Sequence, residues 1–208
     1  MMHLMMRFWS IWRESEMLKI AHVHGYPVEY LGLFAKFKDG GTIRQFINEV
    51  ESLATKLKLD EDDKFEFKGD CLEVLCEIFF KLNPTSPRFG LRDYVPNTKD
   101  NDYGVDGTGY NANGDKCAVQ VKYKQNPAEQ ILFADIAKTY MSGAEQHEID
   151  VKKDKIIYIF TTSNIESNPL QLFKDKYVFI SRKMIASEID NNVNFWQVAY
   201  LEVYNSLN

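Results

Sequence analysis

The chain has 208 residues, 45% of them hydrophobic, and a formal net charge of -5 at pH 7. That is enough apolar material to bury a core in one medium domain, or in a small domain with an appendage. The negative balance excludes a protein that coats nucleic acid by charge alone, because such affinity comes from lysine and arginine displacing counterions, so any DNA-binding surface must be local.

No apolar run reaches the roughly 18 residues needed to cross a bilayer, and His3, Arg7, Trp9 and Arg13 interrupt the apolar start without a signal-peptide pattern. A soluble cytoplasmic protein with no membrane partner is expected. Cys71, Cys76 and Cys117 form neither a pairing framework nor a C-x-x-C zinc motif and read as reduced core thiols.

In chain order, residues 1–16 have the spacing of an amphipathic helix and 22–37 are short and mixed. Gly40-Gly41 breaks the chain. Thr42 with Gln45 three residues on is a capping box, opening a helix through Ile43, Phe46, Ile47, Val50, Leu53, Ala54 and Leu57. Asp60-Glu61-Asp62-Asp63 reads as a solvated connector, so the expected division is a mainly helical appendage over 1–63 and the principal domain over 64–208. Leu72, Leu75, Cys76 and Phe79 predict a helix over roughly 70–82, stopped near Asn83-Pro84.

Two strands, 103–110 and 117–124, flank the turn-forming Asn111-Ala112-Asn113-Gly114-Asp115. A long helix over 128–146, a strand at 156–160 buried on both faces, a short strand at 177–180, a helix capped by Ser181 and a last helix over 195–207 complete the chain. The order predicts an α/β (α+β) fold, a central mixed sheet flanked by helices.

The chemistry concentrates in Tyr103-Gly104-Val105-Asp106-Gly107 and Val119-Gln120-Val121-Lys122. An acid on one strand with an amide and an amine two residues apart on the next can hold a divalent metal and position a water for phosphodiester hydrolysis. Register decides whether they meet. A two-residue Asn113-Gly114 loop sets Asp106 opposite Val121 and away from Gln120 and Lys122; a three-residue loop with Gly114 left-handed sets Asp106 opposite Gln120 and Lys122 opposite Gly104. The alternation of Ala118, Gln120, Lys122 and Lys124 by itself favours a half-buried strand with a solvated polar face. Gly104 and Gly107 beside Asp106 leave room for a ligand's backbone to approach. Glu73, with Glu77 a turn later, offers further carboxylates, although Asp70 and Glu73 also read as a capping box.

Other features fit structural roles: His22 and His24 an ordinary loop or strand, Phe195 and Trp196 a core or partner surface, and residues 161–164 a strand-to-loop cap. No phosphate-binding Gly-x-x-x-x-Gly-Lys loop or paired-glycine dinucleotide motif is present.

Phe67-Lys68-Gly69-Asp70-Cys71-Leu72-Glu73, Gly104-Val105-Asp106-Gly107 and Val119-Gln120-Val121-Lys122-Tyr123 resemble the successive motifs of the PD-(D/E)XK nuclease superfamily, particularly its Mrr-like restriction endonuclease branch. The resemblance runs from about residue 68 to 160 and implies a restriction-endonuclease-like core acting as a metal-dependent DNA endonuclease. Gln120 stands where much of the superfamily has an acid, as in the Mrr-like branch.

By this resemblance Asp106, Glu73, Gln120 and the Val121 carbonyl would hold Mg2+, with Mn2+ as a substitute. Lys122 would orient or deprotonate the attacking water. Arg88, Arg92, Lys116, Tyr123, Lys124 and Gln125 would meet DNA, and Lys138 could face the phosphate; Asp102 belongs instead to a polar loop. A homodimer and a helicase or motor partner are left open. The rival readings are a Holliday-junction resolvase of the same superfamily and a non-catalytic DNA-binding or assembly module.

Overall fold

A computed structural model describes residues 26–97 and 104–207. The helix expected over 1–16, the stretch with His22 and His24, Asp102 and Tyr103 lie outside the described residues. Helix α1 (Pro27–Ala35) leads to α2 (Ile43–Lys56), whose Thr42 cap forms as the sequence predicts. Gln45 donates its N–H to Thr42 Oγ1 at 3.2 Å, and Thr42 N–H donates to Gln45 Oε1 at 2.9 Å.

Helix α3 (Glu61–Leu82) is longer than the apolar spacing suggests. The acidic run is its first turn: Asp60 Oδ1 accepts from Asp63 N–H at 2.9 Å, and the following carboxylates complement the positive end of the helix. Asp70 therefore sits within the helix and caps nothing. At the far end Asn83 Nδ2 donates to the Phe79 carbonyl at 2.8 Å, and Pro84 prevents continuation.

The main sheet has the order β1-β2-β3-β5-β7, built from β1 (Arg92–Pro96), β2 (Gly107–Tyr110), β3 (Lys116–Lys122), β5 (Ile157–Thr161) and β7 (Tyr177–Ile180). β1, β2 and β3 are antiparallel neighbours, while β3, β5 and β7 run parallel, giving the expected mixed sheet flanked by helices. Edge strand β1 was not evident in the sequence. It carries an irregular register, Asp93 at φ 52 and Pro96 at its end, features tolerated on a sheet edge where a ladder donor can be missing.

The expected helix over 128–146 is divided. Gln130–Ile131 (β4) pairs instead with Ile165–Glu166 (β6) in a small parallel sheet. Helix α4 (Phe133–Lys138) then passes through a π-helical turn, Thr139–Gly143, into the short α5 (Ala144–Gln146). The chain finishes with α6 (Asn168–Gln171), α7 (Arg182–Ile189) and α8 (Val193–Ser206); Ser181 caps α7 by accepting from Met184 N–H at 3.4 Å.

Side chains of β3 divide between two cores. Cys117, Val119 and Val121 join Phe79, Phe160 and Ile180 on one face, and Ala118 joins Ile136, Ala144 and Ile159 on the other. The larger core also takes in Tyr30, Phe34 and Phe46 from α1 and α2, and Trp196 from α8. The Trp196 indole N–H is shared between the carbonyls of Gly41 at 3.0 Å and Ile189 at 2.8 Å. The described part of residues 1–63 is thus packed into the same core as the sheet. Among the described residues no helix is long and apolar enough to cross a membrane.

Candidate active site

The β2–β3 hairpin closes through the three-residue loop. Asn111 Oδ1 accepts from the N–H groups of Asn113 and Asp115, both at 3.0 Å, and Gly114 takes φ +81. The pairs Tyr110 with Lys116 and Gly107 with Val119 follow, and continuing that register sets Asp106 opposite Gln120. Asp106 N–H donates to the Val119 carbonyl at 2.8 Å. Lys122, two residues beyond Gln120, emerges on the same side of the sheet.

Gln120 is only 3% exposed, so the polar face of β3 is buried at that position, with Lys122 partly exposed beyond it. A buried carboxamide must find partners, and this one does. Its Nε2 donates to Asp106 Oδ2, and its Oε1 accepts from Thr139 Oγ1 at 2.6 Å. Asp106 Oδ2 also accepts from Val121 N–H, so two donors fix the carboxylate's orientation. Thr139 Oγ1 also lies within hydrogen-bonding reach of the Gly104 carbonyl.

Asp106 and Val121 border a cleft of about 410 Å³ between α3 and the end of β3, with Gln120 and Thr139 buried behind its wall. Its wall contains Glu66, Asp70, Glu73, Asp106 and Asp135 against Lys122 and Lys124. Five carboxylates with two lysines make this a site that favours a cation and repels a bare phosphate. Tyr30, whose hydroxyl donates to Asp70 Oδ2 at 3.5 Å, is held protonated: burial, then the Asp70 charge, push its pKa well up. Glu77, grouped with Glu73 in the sequence, points into the core and pairs with Lys81.

Lys124 is paired with Glu129 at 2.7 Å, and the Tyr123 hydroxyl donates to Glu51 at 2.7 Å. The loop leaving β3 is held by Arg182, whose guanidinium donates to the carbonyls of Thr162, Lys124 and Gln125 at 2.7, 3.1 and 2.9 Å. Thr161 Oγ1 donates to the Lys122 carbonyl at 2.7 Å, so the capping role expected for 161–164 is the one seen.

Arg88, Arg92 and Lys116 are not gathered at the cleft. Arg92 pairs with Tyr110 and Lys116 stands opposite it, at the turn end of the hairpin. The strand rise places Lys116 about 20 Å from Lys122. The two glycines beside Asp106 also serve a different purpose from the one expected. A Cβ on Gly107 would lie 2.4 Å from the Tyr94 hydroxyl, and one on Gly104, at φ +80, 3.0 Å from the Lys138 side chain. They make room for the protein's own side chains, not for a ligand.

Tyr94 is buried and stacks on Phe80 with ring centroids 5.3 Å apart, so it cannot yield. Gly107→Ala is therefore expected to cost about 1–3 kcal/mol of stability through overpacking. A urea unfolding midpoint equal to that of the wild type would contradict this packing.

The donor set suits a hard cation in part. Asp106 and Glu73 supply carboxylates on the cleft wall, and one or two carboxylates plus waters are what Mg2+ commonly takes. Val121 borders the cleft, and in a strand its carbonyl leaves on the same edge as the N–H that reaches Asp106. Gln120 does not fit as it stands, because it presents nitrogen to Asp106. Among the described residues no three His, Cys, Asp or Glu side chains cluster as metal ligands. Comparison of the chain with protein-family models, with curated proteins and with solved structures gives no match.

Proposed function

We propose that this protein is a metal-dependent DNA endonuclease with a restriction-endonuclease-like core, of the PD-(D/E)XK type and closest in its motifs to the Mrr-like branch. One observation carries the reading: Asp106, immediately before β2, and Lys122, at the end of the neighbouring β3, border the same acidic cleft as Glu73 from α3.

Asp106, Glu73 and the Val121 carbonyl would hold Mg2+ or Mn2+. When bound, the ion supplies Lewis acidity at a phosphoryl oxygen and lowers the pKa of a water. The chain's own contribution is placement. Val121 N–H holds the Asp106 carboxylate, joined by Gln120 before an ion binds, and the Thr161 hydroxyl holds the carbonyl at Lys122. Lys122 then orients the attacking water and sets positive charge where the phosphate gains negative charge.

Tyr123, Lys124 and Gln125 follow directly after the site and are the proposed nearest DNA contacts. Arg92 and Lys116 serve only if bound DNA runs about 20 Å past the site, roughly six base pairs, and Arg88, which does not line the cleft, is no nearer contact. The test is incubation of the purified protein with supercoiled, linear, single-stranded and branched DNA, with and without Mg2+. Cleavage of duplex that requires Mg2+ is the expected result. Cleavage confined to branched DNA would replace this reading with a junction resolvase, and no cleavage of any form with Mg2+ or Mn2+ would leave a non-catalytic module.

A further inference from the structure

Thr139 opens the π-helical turn Thr139–Gly143 and is completely buried. A π turn holds one residue more than an α turn, so it re-aims side chains, and such turns recur at functional sites. Here the turn delivers a single hydroxyl to two oxygens, the Gly104 carbonyl and Gln120 Oε1, the latter at 2.6 Å. A hydroxyl has one proton to give. It can donate to only one of these acceptors at a time.

The two ends of a carboxamide are nearly equal in size, so half a turn about its last bond exchanges oxygen and nitrogen without displacing neighbours. After that turn Gln120 Nε2 donates to Thr139 Oγ1 and the Thr139 proton goes to the Gly104 carbonyl, so both contacts of Thr139 run from donor to acceptor. The cost falls on the other side, where Gln120 Oε1 then faces Asp106 Oδ2, and two acceptor oxygens repel. A cation between them removes the repulsion. The chain Asp106–Gln120–Thr139–Gly104, buried at its two middle members, therefore has two self-consistent arrangements, which differ in whether positive charge sits beside Asp106.

We infer that Thr139 is a positioning residue for the metal site: it receives the Gln120 nitrogen when a divalent cation binds, turning Gln120 from a hydrogen-bond donor to Asp106 into an oxygen ligand of the ion. This rests on the metal-site reading above and gives Gln120 the ligand role that its present orientation lacks. It also assigns a use to the buried hydroxyl at which the π turn begins.

The test uses Mg2+ alone, without DNA. In the wild type, the side-chain NH2 signals of Gln120, identified by their loss in Gln120→Asn, should shift on Mg2+ addition as the amide exchanges Asp106 for Thr139. Thr139→Val keeps the shape and removes the hydroxyl. Calorimetry should show its Mg2+ affinity falling by about 10–100-fold, the range found for groups that orient metal ligands, while Thr139→Ser restores binding.

Wild-type binding with unmoved Gln120 signals would overturn the inference, as would equal Mg2+ affinity in Thr139→Val; in both cases the metal site itself would stand. A wild-type protein that takes up no Mg2+ overturns the site and this role together. If Thr139→Val does not fold, the Gln120 signals of the wild type decide alone.

Discussion

Lys122→Ala is expected to lower Mg2+-dependent DNA cleavage by about 10²–10³-fold, the usual loss when one group aimed at developing charge is removed. The fold should survive, because Lys122 lies at the end of β3 and its link to Thr161 runs through the backbone carbonyl, which alanine retains. DNA binding should change little, since a single lysine supplies only a fraction of the phosphate contacts. Lys122→Arg should not rescue the rate: a guanidinium cannot accept a proton and carries its charge on a broader plane. Single-turnover cleavage of a plasmid, with DNA affinity measured in parallel, separates these effects. Full activity in Lys122→Ala would exclude the proposed role.

Asp106→Asn is expected to be at least as damaging and for a different reason. Asparagine keeps the shape, and its oxygen can still accept from Val121 N–H, so the hairpin should remain closed. What it loses is the negative charge that would hold a hard cation between α3 and β3. Cleavage should fall to the limit of detection and raising Mg2+ tenfold should not restore it. Recovery at high Mg2+ would mean that Asp106 only assists a site centred on other carboxylates of the cleft.

Turn chemistry is local, so the sequence narrowed the register to two loops, and Asn111, Gly114 and Asp115 close the three-residue one that the active-site reading requires. With period two, one choice of loop then fixes the side of every later residue. The acidic run at 60–63 misled for an equally local reason, since carboxylates suit a solvated linker and the first turn of a helix alike, and the N–H of Asp63 decided between them.

Thr139 and Arg182 left no comparable signal. Their roles come from tertiary contacts with Gln120 and with the loop leaving β3, separated from them by 19 and by 57 or 58 positions. Gly107 shows the converse. The absence of a side chain there was readable, but the reason for it, the ring of Tyr94 from an edge strand the pattern did not reveal, was not.

Titration of the protein with Mn2+ by calorimetry, in the wild type and in Asp106→Asn, addresses the central claim without requiring the right DNA. The geometry at Asp106, Glu73 and Val121 predicts one cation bound per chain in the wild type and none in the variant. Absence of binding in the wild type, or identical binding in both proteins, would contradict it.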